Sequence, residues 1–156
     1  MLHHINPLEI FGEDLQSVQN PCRYVGGEFG QIVKKEADFT FIMAFPDVYE
    51  IAMSNQAIKI IYNGLNAYEG IRCERVFAPE ADFEALLTEK NVPLYSLESG
   101  IPLHEADMIG FSLGYELGIT GVLNILDKGK IPLLKTERTE NDPIVIAGGC
   151  GSTNPA

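Results

Sequence analysis

An apolar run, Phe39–Phe45, breaks off at Pro46-Asp-Val-Tyr-Glu-Ile-Ala-Met-Ser-Asn55 and gives way to apolar residues at helical spacing. Few arrangements accommodate that order. A run of aromatic, aliphatic and β-branched residues suits a strand buried on both faces, as in a parallel sheet. Ala57, Ile58, Ile60, Ile61 and Leu65 then mark a helix over Asn55–Ala67, and the polar stretch between is the crossover loop. In an open α/β sheet a ligand sits just past the carboxyl end of a strand and before a helix N-terminus. This loop offers Asp47, Tyr49 and Glu50 there, and Ser54 or Asn55 can cap the helix.

The same rhythm recurs downstream. Ile71–Phe77 reads as a second strand. It has Arg72, Glu74 and Val76 on one face and Cys73, Arg75 and Phe77 on the other, a polar pattern that predicts an edge position. Pro79 opens a helix with core face Phe83, Leu86 and Leu87, ending near Lys90-Asn91. Val92–Leu97 is a short strand and Met108–Leu113 another. Tyr115–Leu126 is helical and Gly129 stops it. Ile131–Leu134 is a short strand, and Pro143–Ala147 is a further one closed by Gly148-Gly149. Alternating strands and helices with short turns imply right-handed βαβ units. The expectation is a Rossmann-like, flavodoxin-like, doubly wound, mainly parallel sheet of about five strands. Residues 1–37 form an N-terminal extension, with a short helix near Pro7–Val18 and a hairpin or packed loop over Arg23–Val33. Residues 38–156 form the α/β domain. A doubly wound domain normally packs one more helix after a strand such as Pro143–Ala147. The chain therefore reads as the front part of a longer polypeptide, with a short natural tail as the alternative.

At 156 residues the chain suits one domain with a substantial core. No apolar run approaches the roughly 20 residues of a membrane helix. The start, Met-Leu-His-His-Ile-Asn-Pro, lacks a basic segment followed by an apolar block, so no membrane association and a cytoplasmic location are expected. The net charge of −11 repels phosphate backbones, which argues against direct nucleic-acid binding. Cys22, Cys73 and Cys150 are too far apart for a metal motif and odd in number, so a disulfide framework is not expected. Cys73 reads as a small core residue, and Cys150 lies in a Gly-rich turn.

Three segments in order carry a resemblance: Arg23-Tyr-Val-Gly-Gly-Glu28, Ala44-Phe-Pro-Asp-Val-Tyr-Glu-Ile-Ala-Met-Ser-Asn55 and Gly110-Phe-Ser-Leu-Gly-Tyr-Glu-Leu117. Glu74–Asp82, Pro93–Ser99, Ile144–Gly149 and Asn154-Pro155 fall at matching spacings. From about Pro21 onward the chain resembles the N-terminal portion of bacterial radical SAM proteins that carry a B12-binding-like domain. The resemblance implies a cobalamin-binding-type domain here. It also implies a downstream radical SAM barrel as partner in the same polypeptide, holding a [4Fe–4S] cluster on a Cys-x-x-x-Cys-x-x-Cys loop and using S-adenosylmethionine. This chain has no such loop, so by itself it is not expected to hold the cluster or cleave S-adenosylmethionine. B12-dependent mutases and methionine synthase supply a lower axial His from an Asp-x-His-x-x-Gly loop. Here Asp47 matches the Asp, but Tyr49 stands in the His position and Ala52 in that of the Gly. His3, His4 and His104 lie elsewhere. Cobalamin would thus be held without a protein His ligand.

By the switch-point rule the cofactor face draws on the loops after the strands. These supply Asp47, Tyr49, Glu50 and Ser54, then Glu98 and Ser99, then Ser112, Tyr115 and Glu116, then Gly148 and Gly149. Three functions stay open: a domain positioning a corrin over the barrel or shaping access to it, a docking module of the same fold without cofactor, and a self-standing flavodoxin-like binding protein. Pro46–Ile51 lacks the Ser/Thr/Gly-rich phosphate loop of a flavodoxin, and no nucleophile–base pair stands out. The isolated chain is also expected to expose an apolar patch that would let it form a homodimer.

Overall fold

β1 (Phe39–Phe45) organises the sheet. In the computed structural model, described for residues 2–153, it pairs in parallel with β2 (Ile71–Phe77) along its whole length. On its other side β3 (Met108–Ser112) sets Ile109 opposite Ile42. β4 (Ile144–Gly148) adds to β3 with Val145 opposite Ile109. The order is β2-β1-β3-β4, all parallel. This is the flavodoxin-like order expected, with four strands in place of about five.

The apolar residues of the sheet divide into two layers. α2 (Tyr49–Ser54) and α3 (Gln56–Asn66) cover one face, where Ala52, Ile58 and Tyr62 meet Met43, Phe45, Cys73 and Phe77. Asn55 caps α3, its side-chain oxygen accepting from the N–H groups of Ala57 and Ile58. α4 (Ala81–Lys90) and α5 (Ile119–Lys128) cover the other face, where Phe83, Leu87, Ile125 and Leu126 meet Ile42, Ala44, Ile109 and Phe111. The helices fall on the faces that right-handed crossovers require.

Two expected strands are absent. Ile131–Leu134 is irregular. Val92–Leu97 forms only an isolated antiparallel bridge, Tyr95 to Pro102. A tight turn explains the second case: the Ser96 N–H bonds the Ile101 carbonyl, and the Leu97 N–H bonds the Arg75 carbonyl on the outer edge of β2. β2 is an edge strand, as its polarity predicted, yet its charges are inside. Arg72, Glu74 and Arg75 are 4%, 0% and 5% exposed. The Arg72 guanidinium donates to the carbonyls of Lys34 and Lys35. Glu74 accepts from the hydroxyls of Ser96 and Ser99. The 34–35 and 96–101 segments thus satisfy β2's charges, as buried polar groups require.

The N-terminal extension packs its apolar residues into the core of the α/β domain. α1 (Pro7–Phe11) is shorter than the helix expected to Val18 and continues as a 3₁₀ helix, Gly12–Ser17. Phe11, Leu15 and Val18 are buried beside Phe83 and Tyr95. The Arg23–Val33 region is a 3₁₀ turn, Pro21–Tyr24, followed by a loop, not a hairpin. A turn at Glu116–Gly118 precedes α5, and α6 (Cys150–Thr153) follows β4. Asn154 and Pro155 lie outside the described residues.

Candidate functional site

The strand order reverses between β1 and β3, which places the switch point at their carboxyl ends. Asp47 ties the ends together. Its N–H bonds the Phe45 carbonyl at 2.9 Å, and its own carbonyl accepts from the Ala78 N–H beyond β2 at 3.1 Å. Its Oδ1 accepts from the Val48 N–H at 2.8 Å. Its Oδ2 accepts from the Tyr115 hydroxyl beyond β3 at 2.6 Å. That bond to a carboxylate raises the Tyr115 pKa, because loss of the phenolic proton would leave two anions in contact.

Beside this pair is an open hollow of about 340 Å³, lined by Pro46, Asp47, Pro79, Tyr115, Thr120 and Asn124. Its floor is closed. A Cβ at Gly121 would come 2.3 Å from the Pro46 carbonyl oxygen, so glycine there lets α5 rest directly on the β1 exit. Thr120 donates to the Leu117 carbonyl, and Asn124 donates to Glu84 of α4 at 2.6 Å. The Thr120 hydroxyl, the Asn124 amide nitrogen, the Asp47 carboxylate and the Tyr115 hydroxyl thus all have partners within the protein.

The β1–β2 side of this end is sealed by residues 21–28. Arg23 donates to Glu50 at 2.8 Å and approaches Glu80 at 3.5 Å. The Tyr24 ring stacks on Phe83 with centroids 3.7 Å apart. Its hydroxyl accepts from the Glu80 N–H, and its carbonyl accepts from the Tyr95 hydroxyl. Beneath lies a cavity of only about 30 Å³, among Tyr24, Tyr49, Phe77 and Phe83. Tyr49 is the first residue of α2, and its ring meets Phe77 edge-on at 5.7 Å. Burial, then the neighbouring Glu28 carboxylate, pushes its hydroxyl pKa well up. Ser54 ends α2 and donates to the Ile51 carbonyl, leaving the capping of α3 to Asn55.

The sequence-predicted residues therefore fall into three groups. Asp47, Ser112, Tyr115, Glu116, Gly148 and Gly149 share the carboxyl end, with Ser112 in register with Gly148. Gly149 has φ +110°, and a Cβ there would sit 2.3 Å from the Leu113 carbonyl oxygen, so the turn needs glycine. Tyr49 lies under the 21–28 strap, Glu50 pairs with Arg23 at its exposed margin, and Ser54 is at the far end of α2. Glu98 and Ser99 are elsewhere, along the outer edge of β2. Glu98 accepts from the Arg75 N–H and from its guanidinium, both at 2.6 Å. Burial pushes the Glu98 carboxyl up to about 7, against the pull of Arg75. Arg75 lies 4.4 Å from the Tyr62 ring centroid.

Sequence reasoning did not assign roles to Arg23, Tyr24, Glu80, Thr120 or Asn124. Arg23 and Tyr24 carried a signal as the head of a distinctive segment. The others are ordinary helix and turn residues by type. Among the described residues no group of three His, Cys, Asp or Glu side chains is placed to hold a metal ion. No helix among them is long and apolar enough to cross a membrane.

The all-parallel sheet with helices on both faces makes this an α/β domain of the Rossmann-like, flavodoxin-like class, with its polar cluster at the switch point. The family described as radical SAM proteins, N-terminal, matches residues 57–156, more than half of the chain, and the chain belongs to it. No curated protein and no solved structure matches the chain.

Proposed function

We propose that this chain is the N-terminal module of a radical SAM enzyme and that its carboxyl-end face, centred on Asp47 and Tyr115, lies against the downstream barrel and shapes access to it. Family membership supports a parent protein with an iron–sulfur cluster and S-adenosylmethionine. The chemistry belongs to that barrel. The observation that carries the reading is the Asp47 junction, which joins the exits of β1, β2 and β3 through paired polar groups. Such a face is preorganised and shallow, which suits docking more than engulfing a ligand.

The second reading, in which this face positions cobalamin over the barrel, draws on the 340 Å³ hollow and the Gly148–Gly149 turn. The residues present fit a corrin poorly. Tyr49 lies against Phe77 under the strap instead of facing outward. Gly121 on Pro46 leaves no slot leading from the hollow into the sheet. His3 pairs with Glu105, and His4 with the Ser99 carbonyl, away from the switch point. A spectroscopic test separates the readings. The full parent polypeptide is mixed with excess hydroxocobalamin, desalted and its absorbance recorded. The docking reading expects no stoichiometric corrin. Stoichiometric corrin would overturn it in favour of the cofactor reading.

A further inference from the structure

β4 has the sequence of an interior strand and the position of an edge strand. Ile144-Val-Ile-Ala-Gly148 carries no charged residue and no proline, the usual protection of an exposed edge. Ile144 and Ile146 are 58% and 45% exposed on the sheet face that α2 and α3 leave bare. The other side of the strand is also open. α5 turns Asn124 and Lys128 toward Glu84 and Thr88 of α4. Its Ile119 and Leu123, on the side away from α4, are half-exposed. The backbone shows the same pattern. The Ile144 N–H bonds the Asp107 carbonyl and the Gly148 carbonyl accepts from Leu113, both toward β3. By alternation along a parallel ladder, Val145 and Ala147 turn their N–H and C=O groups to the open edge.

We propose that a further parallel strand of the parent polypeptide pairs with this edge of β4, making β4 an internal strand of a larger sheet. The handedness of crossovers assigns the remaining apolar surface. β3 to β4 runs outward with α5 on one face, so the next outward step lays its helix on that same face, over Ile119 and Leu123. Ile144 and Ile146, on the opposite face, are then left for a returning element. Two observations favour the same polypeptide over a second copy. Each chain carries a net charge of −11, so edge-to-edge pairing of two copies brings strongly like-charged bodies together. The family is an N-terminal portion of larger proteins. The inference rests on that membership and is independent of which face meets the barrel.

Amide hydrogen exchange on the full parent polypeptide, read residue by residue across 144–148, tests it. Val145 and Ala147 should exchange at least about 100-fold slower than free amides at every protein concentration, as Ile144 and Ile146, paired to β3, should too. Exchange of Val145 and Ala147 at free-amide rates, with Ile144 and Ile146 still protected, would overturn the proposal. Protection that fades on dilution would overturn it in favour of a second copy. Ala147→Pro is a further check, because it removes only an outward N–H and an edge tolerates proline. In the parent it should lower Tm and abolish the slow exchange of Val145. An unchanged Tm would contradict the added strand.

Discussion

The two flanks of the sheet are opposites. β2 is written in charges, Arg72, Glu74 and Arg75, and is almost fully buried. β4 is written in aliphatic residues and is largely exposed. The polarity of a strand therefore does not by itself report its solvent exposure. At β2, two segments distant in sequence bring carbonyls, serines and Glu98 to every charge. At β4, among the described residues, nothing is packed on Ile144 and Ile146 to the same degree. The first flank is a finished edge closed by polar contacts. The second is apolar surface of the kind that marks an interaction site.

The contrast can be broken most sharply at the closed flank. Phe83→Ala removes the ring that packs against Phe11, Tyr24 and Tyr95. It should cost about 3–5 kcal/mol in denaturant unfolding. Glu98→Ala strips the buried Arg75 of its carboxylate and should cost about 3 kcal/mol or more. A loss below about 1 kcal/mol would mean that the β2 network is not what closes that edge.

A pH profile sharpens the same point. The folded state raises the Glu98 carboxyl from its ordinary 4.5 to about 7, chiefly through burial. Between those values the folded chain keeps a proton that the unfolded chain has released. The stabilisation is complete below about pH 4.5 and is lost as pH rises through about 7. Tm should therefore carry a component that falls from pH 5 to pH 7.5, and Glu98→Gln should remove it. An identical pH dependence in the variant would show that Glu98 titrates normally.

Smaller effects are expected away from the closed flank. Asn55→Ala deletes the cap of α3 and should cost about 1 kcal/mol. Ile146→Thr, on exposed β4, should change the stability of this chain by no more than about 0.5 kcal/mol. A cost of 2 kcal/mol or more would show that β4 is covered in the chain itself.

Much of this was legible in the sequence. The β1 run, the helical spacing after Asn55 and the polar alternation of Ile71–Phe77 gave three of the elements and the edge position of β2. The Asp47 loop pointed to the switch point. The Asp47–Tyr115 bond was not legible, because it joins residues 68 apart through a crossover whose packing depends on Gly121. Glu98 and Ser99 were misplaced for a related reason. Val92–Leu97 resembles a strand in composition, yet its backbone turns back at Ser96–Ile101 and spends its polar groups on β2. The strap escaped notice because Arg23 and Tyr24 act through distant partners, Glu50, Glu80 and Phe83, that no local pattern reveals.

We propose that the carboxyl-end face meets the downstream barrel. A photo-crosslinking residue placed at Tyr115 in the full parent polypeptide tests it most directly, with a matched probe at Lys130, in the turn just past the far end of α5, as the control. Crosslinks from position 115 into the barrel, and none from position 130, are the result predicted. Barrel crosslinks from position 130 alone would contradict the account and turn the domain end for end.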